Sequence, residues 1–234
     1  MSGLKELLKP YYHKLKRNLK FYRRIGLRNR DFTIISNNCT AGYVYQYFGL
    51  PYNTPTAGLF FTTEDYLKLI KNPKKYLENC RLDFIEPHNS KNYALLKDTY
   101  CFGKYPVANL LDIELYFMHY YSRKQAEEIF IRRSSRIDYN NLFFLLTENE
   151  YFTNQSLNEF CKLSNKNKCC LTYNDYQINN QFVIQNSQVP INGGNIAWLP
   201  KIIVNVIPWK TVLNDMLTKK TETNTLRNKS SSIN

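Results

Sequence analysis

Phe32-Thr33-Ile34-Ile35-Ser36-Asn37-Asn38-Cys39, continued by Thr40-Ala41-Gly42-Tyr43 and on to Phe48, is the stretch on which the fold turns. Its first four residues are β-branched or aromatic, the side chains that suit a pleated, half-buried strand. Ser36, Asn37 and Asn38 then interrupt the run with the residue types that satisfy the unpaired N–H groups opening a helix. A helix through Tyr43 to Phe48 follows. A strand that passes through a short polar turn into a helix opens an α/β unit, and its turn is where such sheets present ligands.

The pattern repeats downstream. Gly58-Leu59-Phe60-Phe61 reads as a strand, and Thr62 caps a helix over Thr63–Ile70, with Asp65 as the reciprocal carboxylate of a capping box. Pro73 starts a further short helix. Strands are expected over 81–86 and part of 107–117, and Ser122 with Gln125 opens a helix to about Arg136. Asn141–Leu146 is an apolar strand, followed by a helix near 154–163 and a strand near 168–173. The alternation predicts an α/β fold, a layered sheet with flanking helices. After residue 173 the pattern weakens to Asn- and Gln-rich text with short apolar runs such as Ile202–Ile207. Residues 31–218 are expected to form a single α/β domain and residues 219–234 a disordered polar tail.

In front of this domain lies a segment of different character. Of a net charge of +13, residues 1–30 carry +9, from ten Lys or Arg against the one acid Glu6, so the other 204 residues carry only +4. Leu4, Leu7, Leu8, Tyr11, Leu15, Leu19 and Tyr22 recur every three or four residues, and the lysines lie largely off that stripe. This basic amphipathic helical arm, interrupted at Pro10, fits an anionic membrane surface. Docking on its own domain is the competing reading, and nucleic acid is not the expected partner.

The 43% hydrophobic and 15% aromatic content suffices for a sizeable core. Only eight Gly are present, with no Gly-rich phosphate loop. The six Cys (39, 80, 101, 161, 169 and 170) form no C-x-x-C pair, so neither a metal site nor a tightly bound cofactor is expected. No signal-peptide core and no window of about 20 apolar residues is found. The expected location is cytoplasmic, at the inner face of the cell membrane, with reduced thiols.

Three groups of residues could carry chemistry. Cys39 sits where a helix N-terminus would lower its thiol pKa, with Ser36, Asn37 and Asn38 beside it to hold substrate or an oxyanion. The same pattern also describes a buried Cys beside residues that cap a helix. His119, among Tyr116-Phe117-Met118 and Tyr120-Tyr121, would be the general base, oriented by Asp112; a core imidazole is the alternative. Arg132, Arg133 and Arg136 could bind phosphate, Arg132 and Arg136 being four apart on one helical face. They equally describe a solvated helix end with Arg132 paired to Glu128.

Taken together and in order, these pieces resemble the bacterial domain-of-unknown-function family 1919, commonly labelled exopolysaccharide-biosynthesis proteins. The matching text is Ile34-Ile35-Ser36-Asn37-Asn38-Cys39, Gly42, Tyr45, Gly49-Leu50-Pro51-Tyr52, Thr54-Pro55, Gly58-Leu59-Phe60 and Asp65-Tyr66. It continues with Tyr105-Pro106-Val107, Asp112-Ile113, Phe117-Met118-His119-Tyr120, Arg132-Arg133, Arg136-Ile137 and Asn141-Leu142-Phe143. The likeness covers about residues 30–175, with Phe130 and Thr40 at positions where the family commonly has Trp. It implies a role in synthesis of capsular or other surface polysaccharide. The Asn38-Cys39 turn is also similar to that of a capsule-biosynthesis acyltransferase that binds coenzyme A.

The expectation is therefore a transferase modifying a glycan or lipid-linked glycan precursor, alongside other polysaccharide-synthesis proteins. Acyl transfer from an acyl-CoA donor is favoured, with Cys39 and His119 as the reacting pair. Glycosyl or glycerol-phosphate transfer from a nucleotide-activated donor, using Asp112 and the arginines, is the alternative. A non-catalytic scaffold is the third reading.

Overall fold

A computed structural model describes residues 18–99, 101–184 and 200–216. The opening strand β1 (Thr33–Ser36) is buried along its whole length and pairs in parallel with β5 (Leu142–Thr147), Ile34 facing Phe143 and Ser36 facing Leu145. β5 pairs in parallel with β6 (Lys168–Thr172), and β6 with β7 (Gln181–Val183). The parallel sheet thus runs β1-β5-β6-β7.

Strand periodicity sorts its side chains into two cores. Ile34, Phe143, Leu145, Cys169 and Leu171 join Val44 and Phe48 of helix α1 (Thr40–Phe48). Ile203 of the C-terminal helix Pro200–Val206 and Trp209 of the helical segment 209–216 close this layer. Ile35, Phe144, Leu146 and Cys170 face the other way, onto Leu67 and Ile70 of α2 (Thr63–Lys71) and Leu157 and Phe160 of helix Asn154–Cys161. With both faces covered, β5 reads as an uninterrupted apolar run. Two tyrosines pin the strands from opposite sides. Tyr45 Oη donates to Phe32 O at 2.9 Å, and Tyr66 Oη lies 3.0 Å from both Ile35 O and Leu145 O.

A second sheet packs over α2. It is antiparallel, with β3 (Val107–Leu110) central between β2 (Asp83–Ile85) and β4 (Ile113–Tyr116). The stretch 107–117 is therefore a hairpin, turned at Leu111-Asp112 with Leu111 at φ 56°. A buried polar knot ties it down. Lys91 Nζ donates to Asp65 Oδ1 at 2.7 Å, and Glu114 N donates to Asp65 Oδ2 at 3.0 Å. Glu114 in turn accepts from Ser90 Oγ and from the Lys91 main chain. Asp65 was expected to close the capping box on Thr62. The Thr62 side chain does accept from Asp65 N at 3.4 Å, but the Asp65 carboxylate goes to Lys91 and Glu114 instead.

Other expectations shift locally. The strand expected at Gly58–Phe61 is a single bridge, Phe60 to Tyr116, because Gly58 at φ +87° turns the chain and Phe61 N donates to Asn37 O. The helix opened by Ser122 is α3 (Arg123–Ser134), ending before Arg136. Residues after 173 contribute β7 and the C-terminal helices. Of the basic arm, a helix over 18–24 is described, while residues 1–17 and the tail at 219–234 lie outside the described residues. Leu27 and Asn29 are buried, so packing of the domain begins upstream of Asp31.

Candidate active site

The turn after β1 is built to be rigid. Asn37 Nδ2 donates to Thr147 O, while Asn37 Oδ1 accepts from both Thr147 N and Thr147 Oγ1, each at 2.9 Å. This side chain locks the carboxyl ends of β1 and β5 together. Asn38 Oδ1 accepts from Thr40 N at 3.0 Å, and Ser36 Oγ accepts from Ala41 N at 3.1 Å. Gly42 N donates to Cys39 O at 2.9 Å. The first N–H groups of α1 are thus satisfied by the turn itself. That overturns the expectation that Ser36, Asn37 and Asn38, or the helix amides, serve a substrate oxyanion. All three side chains are buried and do not line the neighbouring cleft.

Cys39 is the residue at which the turn opens. It is half-buried at the N-terminal end of α1 and lines a cleft of about 280 Å³. One wall is the α1 face that carries Cys39, Gly42, Tyr43 and Gln46. The opposite wall is Gln125, Ile129 and Arg133 of α3, and the floor joins Tyr52, Ala57 and Gly58 to His119 and Tyr120. His119, the proposed base, and Cys39 therefore share one cavity although 80 positions separate them. His119 is exposed on the turn after β4, its main-chain N donating to Gly58 O at 3.3 Å.

The floor is held by hydrogen bonds converging on one carbonyl. Ala57 O accepts from Tyr120 Oη at 2.9 Å and from Arg133 Nη1 at 2.6 Å, and Arg133 Nη1 also donates to Tyr120 Oη at 2.7 Å. The Arg133 guanidinium stacks over Tyr52, 4.6 Å from the ring centroid, and Gln46 Nε2 donates to Tyr52 Oη at 2.7 Å. Gly58 is required here. A Cβ on it would meet the Tyr120 ring at 3.1 Å, and its φ of +87° already disfavours a side chain.

The electrostatics of the thiol run against the sequence expectation. Burial pushes the Cys39 thiol above its usual value, and the hydrogen bond to Tyr43 Oη at 3.7 Å reverses this only in part. Burial and the neighbouring Cys39 raise the Tyr43 phenol as well. Cys39 is thus a protonated thiol at neutral pH, which becomes a nucleophile only with a proton acceptor beside it.

Two further site expectations are corrected. Asp112 sits at the exposed tip of the β3–β4 hairpin, where it accepts from Tyr76 Oη at 2.9 Å and pairs with Lys75 at 3.5 Å, and it is not among the residues that line the cleft with His119. Of the three arginines, Arg133 alone lines the cleft; Arg132 and Arg136 are exposed. The buried stripe of α3 is Ala126, Phe130 and Ser134, which places Gln125, Ile129 and Arg133 along its edge and Arg132 in solvent. Tyr43, Gln46, Gln125 and Ile129 went unread. Their signal was present in the helical spacing, Tyr43 and Gln46 lying four and seven residues after Cys39, and Gln125 and Ile129 eight and four before Arg133. Among the described residues, no group of three or more His, Cys, Asp or Glu could hold a metal ion, and the cysteines form no disulfide.

The domain of unknown function DUF1919 matches residues 11–198. The chain is also 31% identical over 150 residues to an uncharacterized protein of Haemophilus influenzae. That alignment covers 64% of this chain and 66% of the relative, just under two thirds of the relative's length.

Proposed function

The chain belongs to the domain-of-unknown-function family DUF1919, and from that premise and the cleft geometry we propose an acyltransferase of surface-polysaccharide synthesis, acting on a glycan or its lipid-linked precursor. The observation that carries the reading is that Cys39 and His119 line the same cavity at the carboxyl end of β1. His119 removes the thiol proton as Cys39 Sγ attacks the thioester carbonyl of the acyl donor. The donor thiolate leaves and takes that proton back, giving an S-acyl Cys39. An acceptor hydroxyl then attacks the acyl group, His119 takes its proton, and the Cys39 thiol is regenerated. Tyr43 is placed to hydrogen-bond the sulfur at each stage. The phenols of Tyr43, Tyr52 and Tyr120 and the amides of Gln46 and Gln125 suit a polyhydroxylated acceptor.

Two observations favour this chemistry over metal-dependent glycosyl transfer. Asp112, the carboxylate that transfer would use, lies outside the cleft, and no Asp or Glu is among the lining residues. The decisive experiment is incubation with acyl-CoA followed by intact-mass analysis. The wild type is expected to gain one acyl group on Cys39, and Cys39→Ala is expected to keep its thermal unfolding midpoint while losing glycan modification. Undiminished modification by Cys39→Ala removes the thiol from the mechanism.

Membrane association through the basic arm belongs to the same reading. No described helix is long and apolar enough to cross a membrane. Leu19, Phe21, Tyr22 and Ile25 are nevertheless exposed on and just after helix 18–24, and Arg23 folds back over the Tyr47 ring at 4.3 Å. Apolar side chains among Lys20, Arg24 and Arg28 suit the headgroup region of an anionic bilayer. Replacing Phe21, Tyr22 and Ile25 by Ser should release the protein from anionic vesicles, and equal binding would refute the role.

A further inference from the structure

The cleft has a second chemical character beside its thiol. None of its lining residues is acidic, while Arg133 supplies a fixed positive charge and His119, Gln46, Gln125, Tyr43 and Tyr52 offer donors, the Tyr120 hydroxyl proton being already given to Ala57 O. Arg133 is half-buried, and among the described residues it forms no ion pair with a carboxylate. Its recorded bonds, to Ala57 O and Tyr120 Oη, both use Nη1, so Nε and Nη2 are left for a ligand. Stacking on Tyr52 fixes the plane of the fork. A partly desolvated guanidinium without a counter-charge is costly, and an oxyanion that engages the fork offsets that cost.

We infer that Arg133 is the anion receptor of this cleft, and that the substrate entering it carries a phosphate ester or diphosphate. The inference deepens the acyl-transfer reading, because it rests on this cleft being the active site, but it does not depend on the chemistry of Cys39. Phosphate is favoured over a lone carboxylate because the cleft lining holds further donors besides Arg133, and a phosphate group offers more acceptor oxygens than a carboxylate. Two sources supply such a group. One is the diphosphate of a coenzyme A donor; the other is the phosphate of a sugar 1-phosphate or lipid-linked acceptor.

The test is titration of the full chain with inorganic pyrophosphate at constant ionic strength, followed by the ¹⁵N signal of Arg133 Nε and the backbone amides of Tyr43 and Gly58. Saturable shifts are expected. Arg133→Gln should weaken binding tenfold or more, the loss expected for one charge-assisted contact. Because Arg133 also braces Ala57, Gln125→Glu serves as a second variant. It keeps the acceptor for Tyr121 N while adding a negative charge to the cleft wall, and should weaken pyrophosphate to a similar degree. Arg132→Gln, on the solvent face, should leave binding unchanged. Coenzyme A and a hexose 1-phosphate used as competitors then assign the anion to donor or acceptor. Absence of saturable binding, or equal binding by wild type, Arg133→Gln and Gln125→Glu, overturns the inference. Its failure is separable from that of the transfer reading: Cys39→Ala should bind pyrophosphate normally even where it abolishes transfer.

Discussion

The turn Ser36-Asn37-Asn38 and the α1 face that begins at Cys39 are neighbours in sequence and opposites in use. The first spends every side-chain hydrogen bond on its own chain, chiefly on Thr147 and on the opening amides of α1. The second lines the cleft with Cys39, Tyr43 and Gln46, and His119 and Arg133 belong to the same lining. A buried polar group must be satisfied to be tolerated. A residue fully satisfied by its own fold has nothing left to offer a substrate. Accordingly, the residue types that look most catalytic at a strand-to-helix turn are here the scaffold, and chemistry falls to side chains along the helix edges.

That contrast can be broken at its strongest point. Asn37→Ala removes three hydrogen bonds and strands the buried Thr147 N and O, so a loss of roughly 3–5 kcal/mol is expected in urea unfolding. Cys39→Ala, two positions on, should cost about 1 kcal/mol or less while removing transfer. Comparable losses for the two would erase the distinction.

A second polar knot extends the comparison to the antiparallel sheet. Lys91→Met removes the nearer of the two lysines that face the buried Asp65 carboxylate, leaving Lys68 at 3.9 Å, and should cost roughly 3 kcal/mol at neutral pH, the low end of the range because Lys68 remains and the Lys91 head is partly exposed. The pH dependence has a definite sign. Burial holds the Asp65 carboxyl above its usual value, against the pull of Lys91 and the Glu114 N–H. A raised folded value favours folding most fully below the unfolded value, and that contribution disappears as pH rises through the folded one. Without Lys91 the ionised form becomes costlier still, so the destabilisation should shrink as the pH is lowered and Asp65 protonates. A pH-independent difference between variant and wild type would contradict this placement. The smallest effect belongs to the solvent face of α3, where Arg132→Ala should change stability and activity within about 0.5 kcal/mol.

How much of this was legible in the sequence differs by element. β5 announced itself because both of its faces are buried, which leaves Leu142-Phe143-Phe144-Leu145-Leu146 without a polar position. Helices α2 and α3 were marked by Thr62 and Ser122, whose side chains do cap them. β7 was not legible. It has three residues, and residues 173–180 carry the chain across from β6 without a helix, so no change of periodicity marks it. The hairpin at Leu111-Asp112 lacks the Gly or Asn that normally signals such a turn, so the exposed tip that carries Asp112 was not legible. For the site, spacing identified α3 as a source of arginine but not which edge faces the cleft. The buried stripe through Phe130 settles that in favour of Arg133, and it depends on what α3 packs against. The floor residues Tyr52, Ala57 and Gly58 come from a loop whose position is set by contacts to Tyr120 and Arg133, far away in sequence.

The central claim is that an imidazole activates a thiol which burial alone would keep protonated. It is tested most directly by the rate of Cys39 alkylation with iodoacetamide as a function of pH, measured at that residue by peptide mass spectrometry in wild type and His119→Ala. The expected result is a reaction at pH 7 about a hundredfold or more slower in the variant, the low side of what a positioned base contributes, with the two rates converging at alkaline pH. Superimposable profiles across the whole range would contradict it.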